Sequence, residues 1–516
     1  MKMNMTVEVM SNISWQPIFG KRKSFNRHAC RFTNLPGRLL RVHTLFLFVH
    51  LSGTLLHAQQ NHVMYFMEQV PQASALNPAY SVNCNYLGLP VLSSVHGNIG
   101  HTGFTWNQIF PVSGEDRVVD FGYLEQRLHR LDMFSARLDV DLLSAGMSYE
   151  DYFFTFRITD KAEGMVLYPK NLFLVPWRGN TDYVGETVRI KRAGAHFNYF
   201  REFSLTASTW LTGDLRVGIR PKLLFGKLNL NTRRERISIT IREDNHHIDL
   251  EGSYKINASM PVTITQDADG MVTDVTLDDG LGWQDFLLNG RNPGFALDVG
   301  AVYTGLDDLT LYASILDMGF LHWSSDLNNF EVSQQFQFVG LDADDFTSED
   351  YGQRIRDSLR DSWDVERTND PYFTFRPLHT YLGMIYRVND QLAAGVLQHN
   401  VLYNWRLYPA LTLSVNTRLK DFLSFHASYS YNNYSFKNLG AGLSLQSNRF
   451  QFYLAADNLL AIDLLDTRNV NVRFGLNIFL GCGDKKAGSY QGTGATGSGC
   501  LWLRRARENQ KILPEK

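Results

Sequence analysis

From residue 411 to residue 480 apolar and polar side chains alternate with a period of two, strand after strand. Leu411, Leu413 and Val415 alternate with Thr412, Ser414 and Asn416. Leu423, Phe425, Ala427, Tyr429 and Tyr431 alternate with Ser424, His426, Ser428 and Ser430, and Leu439, Ala441, Leu443 and Leu445 with Gly440, Gly442 and Ser444. Phe450, Phe452 and Leu454 follow the same rule, as do Val470, Val472, Phe474, Leu476, Ile478 and Leu480. Successive side chains of a strand point to opposite faces, so each run predicts a strand with one apolar and one polar face. Soluble sandwiches alternate too. The pattern alone does not say whether water or lipid lies outside.

The connections choose. Counting back from the last run, 458–469 is long, Ser447-Asn448 tight, 432–437 longer, Lys420-Asp421 tight, 405–410 longer and Asn389-Asp390 tight. Before them 318–379 is very long, and Gly305-Leu306-Asp307-Asp308 is short. Short turns on one side and longer loops on the other are the rhythm of a bacterial outer-membrane barrel. Composition agrees. Aromatics make up 13% and hydrophobics 44% of 516 residues, yet mean hydropathy is only -0.22. The apolar residues are therefore interleaved, and runs of roughly 20 that a helical membrane protein needs do not occur. With 50 Lys+Arg against 52 Asp+Glu there is no basic excess for a nucleic-acid partner.

Residues 1–58 read as a leader with a signal peptide. Lys21, Arg22, Lys23, Arg27, Arg31, Arg38 and Arg41 precede the apolar core 45–51, and Leu56-His57-Ala58 offers a cleavage context. Cys84, Cys482 and Cys500 remain beyond the leader without CxxC or metal-ligand spacing, and read as incidental. The N-terminal half is less regular, with candidate strands at 134–148, 151–159, 192–200, 203–210 and 214–229. Pro221 lacks a ladder donor and predicts a bulge or kink. A hairpin is clearer from Val262 to Leu277, turning at Asp267-Ala268-Asp269-Gly270. Residues 348–364 predict a helix in a long outer loop, with a capping box from Thr347 and Tyr351, Ile355 and Leu359 at four-residue spacing. The Gly/Ser-rich stretch 482–516 reads as a flexible tail.

Chemistry is sparse. The GxGxxG within 492–499 follows no βα unit. Asp267-Ala268-Asp269-Gly270 lacks the remaining calcium ligands. Asp278-Asp279 and Asp344-Asp345 lie in polar loops. His246-His247 has no zinc partners in sequence, and neither HExxH nor GxSxG occurs. The expectation is no enzyme, no metal and no cofactor. His426 sits on a polar face, expected to look into a barrel. A barrel-borne hydrolase would require a Ser or Asp beside a luminal His.

Arg473-Phe474-Gly475-Leu476-Asn477-Ile478-Phe479-Leu480 resembles the assembly signal on the last strand of outer-membrane barrels, with Arg473, Gly475, Ile478 and Leu480 in its pattern. Tyr65-Phe66-Met67-Glu68-Gln69-Val70-Pro71, with Leu76-Asn77-Pro78-Ala79-Tyr80, resembles an uncharacterised family of Bacteroidota outer-membrane barrels. Three further stretches agree: Gly218 to Gly226 with Arg220 and Lys222; Asp298 to Gly300 with Ser314 to Gly319 (including Asp317) and Trp323; and Phe336 to Asp342. The Asn77-Pro78-Ala79 segment is also similar to the hatch of long-chain fatty-acid transporters and to type IX secretion-associated barrels. The resemblance implies fold and location, and assigns none of these positions a role.

The expected fold is all-β: a transmembrane antiparallel barrel of about 14 strands, within roughly 12 to 16. It would lie in the outer membrane, spanning 111–481 behind a hatch-like segment at 59–110. The small inward residues Thr412, Ser414, Ser424, Ser428, Ser430, Gly440, Gly442 and Ser444 leave room along one wall, where the segment around Asn77-Pro78-Ala79 is expected. The expected function is passive passage of hydrophobic or small solutes, with a structural or secretion-accessory barrel as the alternative. Expected partners are outer-membrane lipid, the barrel-assembly machinery, and a hydrophobic ligand or secretion-system partner.

Overall fold

The computed structural model describes residues 61–480, apart from 83, 106, 108–111, 114–115, 118–120, 179–180, 245–246, 267–271, 278–289, 339–362, 405, 420–421, 432–435, 437 and 463–466. Fourteen antiparallel strands close into a ring. In chain order they are β1 (Asn85–Gly88 and Val95–His101), β2 (Leu131–Tyr149), β3 (Tyr152–Pro169), β4 (Gly194–Trp210) and β5 (Leu215–Ile241). Then come β6 (Pro293–Leu306), β7 (Leu309–Trp323), β8 (Tyr372–Phe375 and Leu378–Arg387), β9 (Leu392–Tyr403) and β10 (Arg406–Arg418). The ring ends with β11 (Leu423–Tyr431), β12 (Leu439–Gln446), β13 (Phe450–Ala456) and β14 (Asn469–Leu480). Each strand pairs with the next, and β14 returns to β1 with Asn85 opposite Leu480 and Val95 opposite Phe474. Among the described residues, closure leaves no open sheet edge toward lipid.

The alternation resolves into an apolar outside. Leu413, Val415, Phe425, Leu454 and Val472 are exposed, while Thr412, Ser414, Ser428, Ser430 and Asn471 are buried in the lumen. A closed ring with apolar residues outside and polar ones inside is stable in a bilayer and not in water. Tyr149, Tyr152, Tyr386, Phe422 and Phe450 form an exposed aromatic girdle at the short-turn rim. No helix among the described residues is long and apolar enough to cross a membrane. The strands cross it, and the location is the outer membrane.

At the long-loop rim β5 overshoots the ring. Its end pairs with Thr187–Lys191 on one side and Ile248–Ser259 on the other. The latter pairs with Asn329–Phe338, which pairs with Trp363–Thr368, giving a sheet of five strands beyond the barrel. A separate hairpin joins Val262–Gln266 to Val272–Leu277.

Several expectations need correction. The barrel begins at Asn85, not at 111, because β1 pairs with both β2 and β14. Residues 192–200 and 203–210 belong to one strand, β4. Pro221 causes no register shift: the β4–β5 ladder is interrupted between the pairs Ser204–Lys222 and Ala207–Ile219 and resumes in step, while the shift lies at Tyr199/Phe200. A missing N–H removes a bond without adding a residue. The connection placed at 405–410 is shorter, since Arg406 already pairs with Tyr403. Trp363 and Asp364 are strand residues, and the rest of the helix placed at 348–364 lies outside the described residues, as do the leader, the tail and the turn 267–270. Cys84 is disulfide-bonded, so it is not incidental. The other cysteines, Cys30, Cys482 and Cys500, all lie outside the described residues.

Candidate functional site

Ahead of β1 the chain runs through α1 (His62–Tyr65) and a 3-10 turn (Pro71–Ala75), and nearly every side chain there is buried. Val63, Met64, Tyr65, Phe66, Met67, Val70, Leu76 and Tyr80 pack on inward-facing Val302, Tyr312, Leu316, Ile385 and Leu397. The wall is shaped for them by missing side chains. A Cβ on Gly440 or Gly442 would stand 2.7 or 2.6 Å from Val63, and one on Gly442 2.8 Å from Met67. So the small C-terminal wall is occupied by Val63 and Met67, not by Asn77-Pro78-Ala79. That tripeptide lies on the far side, against Gly218 and Gly300, which face each other across the β5–β6 ladder. A Cβ on Gly218 would lie 2.1 Å from the Pro78 oxygen, and one on Gly300 2.1 Å from Asn77 Oδ1. The Asn77 amide donates to the carbonyls of Ala301 and Ala313 at 3.3 and 3.4 Å, and its Oδ1 accepts the Ala79 N–H at 3.0 Å. Gln69 reaches Ser424 at 2.6 Å and His426 at 3.1 Å, so His426 does face the interior.

Polar contacts hold the other end of the segment. Arg220 donates to the carbonyls of Ser74 at 2.6 Å and Ala75 at 2.7 Å, and through Nε to Asp298 at 2.7 Å. Lys222 meets Asp317 at 2.5 Å and Asp298 at 2.8 Å. Asp317 reaches in because the β6–β7 register shifts between Leu297 and Val299, leaving two residues of β7 opposite Asp298. Asp317 takes φ 61 there, and its N–H donates to Asp298 Oδ1 at 2.6 Å. A bulge of this kind re-aims a side chain that strict alternation would send outward.

Around this nucleus stand ion pairs that the sequence reading missed. Lys161 pairs with Glu202 at 2.6 Å, Arg376 with Glu163 at 2.7 Å, and Arg137 with Asp139 at 2.9 Å. Arg157 lies 3.6 Å from Asp141 and donates to Ser74 Oγ at 2.9 Å. Their signal was present: Arg137, Asp139 and Asp141, then Arg157, Lys161 and Glu163, are charges at alternate positions of two strands. Arg137, Asp139, Asp141, Arg157, Lys161 and Glu202 line a cavity of about 50 Å³ together with Leu76, Leu316, His379 and Tyr381. Buried charges persist only when paired and hydrogen-bonded, so this wall is rigid as well as polar.

A family model matches residues 78–457, from the Pro78 seat to the end of β13. The chain belongs to a family of unknown function (DUF5723). No curated protein matches its sequence. Among solved structures, this DUF5723 barrel is similar to the Ralstonia pickettii toluene transporter TbuX, at 10% identity and TM-score 0.38, over 80% of this chain and 94% of that one. A Pseudomonas aeruginosa FadL homologue gives 10% and 0.32 over 82% and 98%. The Pseudomonas putida toluene transporter TodX gives 9% and 0.34 over 82% and 97%. At such scores the fold of the DUF5723 barrel rests on its own strand pairing.

The structure thus brings together Asn77, Pro78, Ala79, Arg220, Lys222, Asp298 and Asp317. Gly319 and Trp323 lie elsewhere. A Cβ on Gly319 would strike the Phe295 carbonyl at 2.2 Å, and Trp323 donates to Thr374 at 2.8 Å within an apolar cluster of Phe200, Leu224, Leu321 and Tyr372. On β14 Arg473 points inward toward Ser94 at 3.5 Å, Gly475 lies under the Ser93 carbonyl, and Leu480 is exposed. Among the described residues no group of three or more His, Cys, Asp or Glu could hold a metal. A luminal histidine does lie near hydroxyls: His62 Nδ1 is 2.9 Å from Thr412 Oγ1 and 3.4 Å from Ser430 Oγ. Its other nitrogen faces His399 at 3.3 Å instead of a carboxylate that would orient a general base.

Proposed function

We propose that this barrel is an outer-membrane passage for small hydrophobic solutes, with residues 61–82 as a hatch. The observation that carries the reading is the apolar seat. Val302, Tyr312, Leu316, Ile385 and Leu397 line the lumen beneath the segment, where a water-filled porin presents polar side chains. Displacing the segment exposes a surface that water wets poorly and an apolar solute covers well. Passage is passive, and no step needs a catalytic group. The barrel-assembly machinery would insert the chain through the pattern Arg473, Gly475, Ile478 and Leu480 on β14.

The test is uptake of a labelled alkylbenzene and of labelled sucrose by cells with an otherwise tight outer membrane. Removing 61–80 should raise alkylbenzene entry severalfold and sucrose entry less. Equal entry of both, or no change in either, overturns the reading. The alternative, a structural or secretion-accessory barrel, has its own support in the five-stranded sheet beyond the rim, a surface that passage does not require. Loss of a secreted or bound partner on deleting that sheet, with uptake unchanged, would favour it.

A further inference from the structure

Three imidazoles run in a line from the segment to the charged cavity. His62 Nε2 is 3.3 Å from His399 Nδ1, and His399 Nε2 is 3.1 Å from His379 Nδ1. All three rings are buried. His399 stacks on Tyr381 with centroids 4.0 Å apart. At one end Thr412 and Ser430 meet His62 Nδ1. At the other, His379 Nε2 has no hydrogen-bond partner and its residue lines the cavity with Asp317, Lys222 and Glu202. A cavity of about 50 Å³ has room for more than one water. The imidazoles thus form a continuous line from a polar cavity, through two strands, to a ring of the N-terminal segment.

We propose that the His62–His399–His379 chain is a proton-operated lock that holds the hatch while its rings are neutral and releases it when they gain protons. Three rings carry six nitrogens, and four of these face each other in two contacts. Each contact needs one N–H and one lone pair. The neutral chain meets that condition, and one extra proton still fits by occupying the second terminal nitrogen. A second extra proton sets N–H against N–H and breaks a contact. The strands hold His379 and His399 fixed, so the ring that must leave is His62.

The charged groups nearby favour this direction. His379 faces Asp317, with Arg137, Arg376 and Glu163 beyond, and an imidazolium there competes with Lys222 for Asp317. Among the described residues the carboxylate that faces His62 is Asp457, which burial raises and which already accepts the Val63 N–H at 2.8 Å. Burial lowers His62 below its ordinary 6.5 while docked, so docking is unaffected above that value and weakens as pH falls below it. Glu68 acts oppositely. Burial lifts it from 4.5 to about 7, so its contribution to docking is complete below 4.5 and is lost as pH rises through 7. The lock is therefore read in a Glu68→Gln background.

This inference rests on the segment being displaceable, which the uptake of the shortened barrel tests separately. The lock is read by thermolysin cleavage within 61–80 of the full chain in proteoliposomes, scaled to cleavage of an unfolded peptide. In Glu68→Gln, cleavage should rise severalfold, up to about tenfold, from pH 7.5 to pH 5.5. His399→Gln keeps a hydrogen-bonding group without the titration and should lessen the rise to what burial of His62 gives by itself, as should His379→Gln should the first fail to reach the heat-dependent gel mobility of a folded barrel. No rise in Glu68→Gln, or the same rise in a folded histidine variant, overturns the lock.

Discussion

Gly218→Ala is the sharpest single perturbation of the seat on which Pro78 and Ala79 rest. The added Cβ would stand 2.1 Å from the Pro78 oxygen, 2.2 Å from its carbonyl carbon and 2.5 Å from the Ala79 nitrogen, against an ordinary contact of 3.4–4 Å. All three are backbone atoms, so no rotamer relieves the clash and the segment must retreat by about 1.3 Å. Overpacking of this kind costs about 1–3 kcal/mol, which corresponds to a fall of about 5- to 150-fold in the docked-to-released ratio. Hydrogen exchange reads that ratio directly, through the Val70, Ala73, Leu76 and Tyr80 amides, whose backbone bonds close the segment's turns. Their exchange should quicken by the same factor, while amides of β9 to β13 keep their rates. Gly97→Ala is the control: Gly97 faces outward with nothing within 4 Å of an added Cβ. Unchanged segment exchange in Gly218→Ala, or equal acceleration in Gly97→Ala, would refute the close seat.

Arg220→Ala should lower stability to urea in lipid vesicles by about 3–5 kcal/mol, because it leaves Asp298 buried beside a weakened partner set; Arg220→Met with Asp298→Leu should cost less than the single change. Cys84 is disulfide-bonded, and non-reducing peptide mapping should join it to Cys482, two residues past the Leu480 that faces Asn85. Reduction or Cys84→Ser should then lower the temperature at which the folded gel band is lost, a cost of about 2–4 kcal/mol. Removing 470–480 should abolish the heat-dependent gel mobility altogether, since both β13 and β1 lose their partner.

The C-terminal strands were legible because lipid outside and a small polar lumen inside impose strict alternation on Leu411 to Leu445. The barrel's start was not. β1 is broken around Pro90 into two short pieces, and Gly97 stands among the outward residues opposite His96 and Asn98, so alternation is faint. Asp317 was flagged only by resemblance: its bulge puts it on the face opposite to the one its sequence parity predicts. The ion-pair wall was visible as charges of one parity on β2 and β3, but partners such as Glu163 and Arg376 lie 213 residues apart, and only the closed ring makes them neighbours. The imidazole chain is less legible still. His62, His379 and His399 share no motif and come from three elements.

The residues synthesised first in the described chain are bonded to those synthesised last. Gln72 and Asn477 exchange reciprocal amide bonds at 2.6 and 2.8 Å across 405 positions. Contacts of such separation form slowly and late. Phe66, Met67 and Val70 pack on the earlier strands β6 to β9, but this polar bond waits for β14. Bonding of Gln72 to Asn477 then marks the moment when β14 is in place, so a barrel that lacks its last strand also lacks this tie between its two ends.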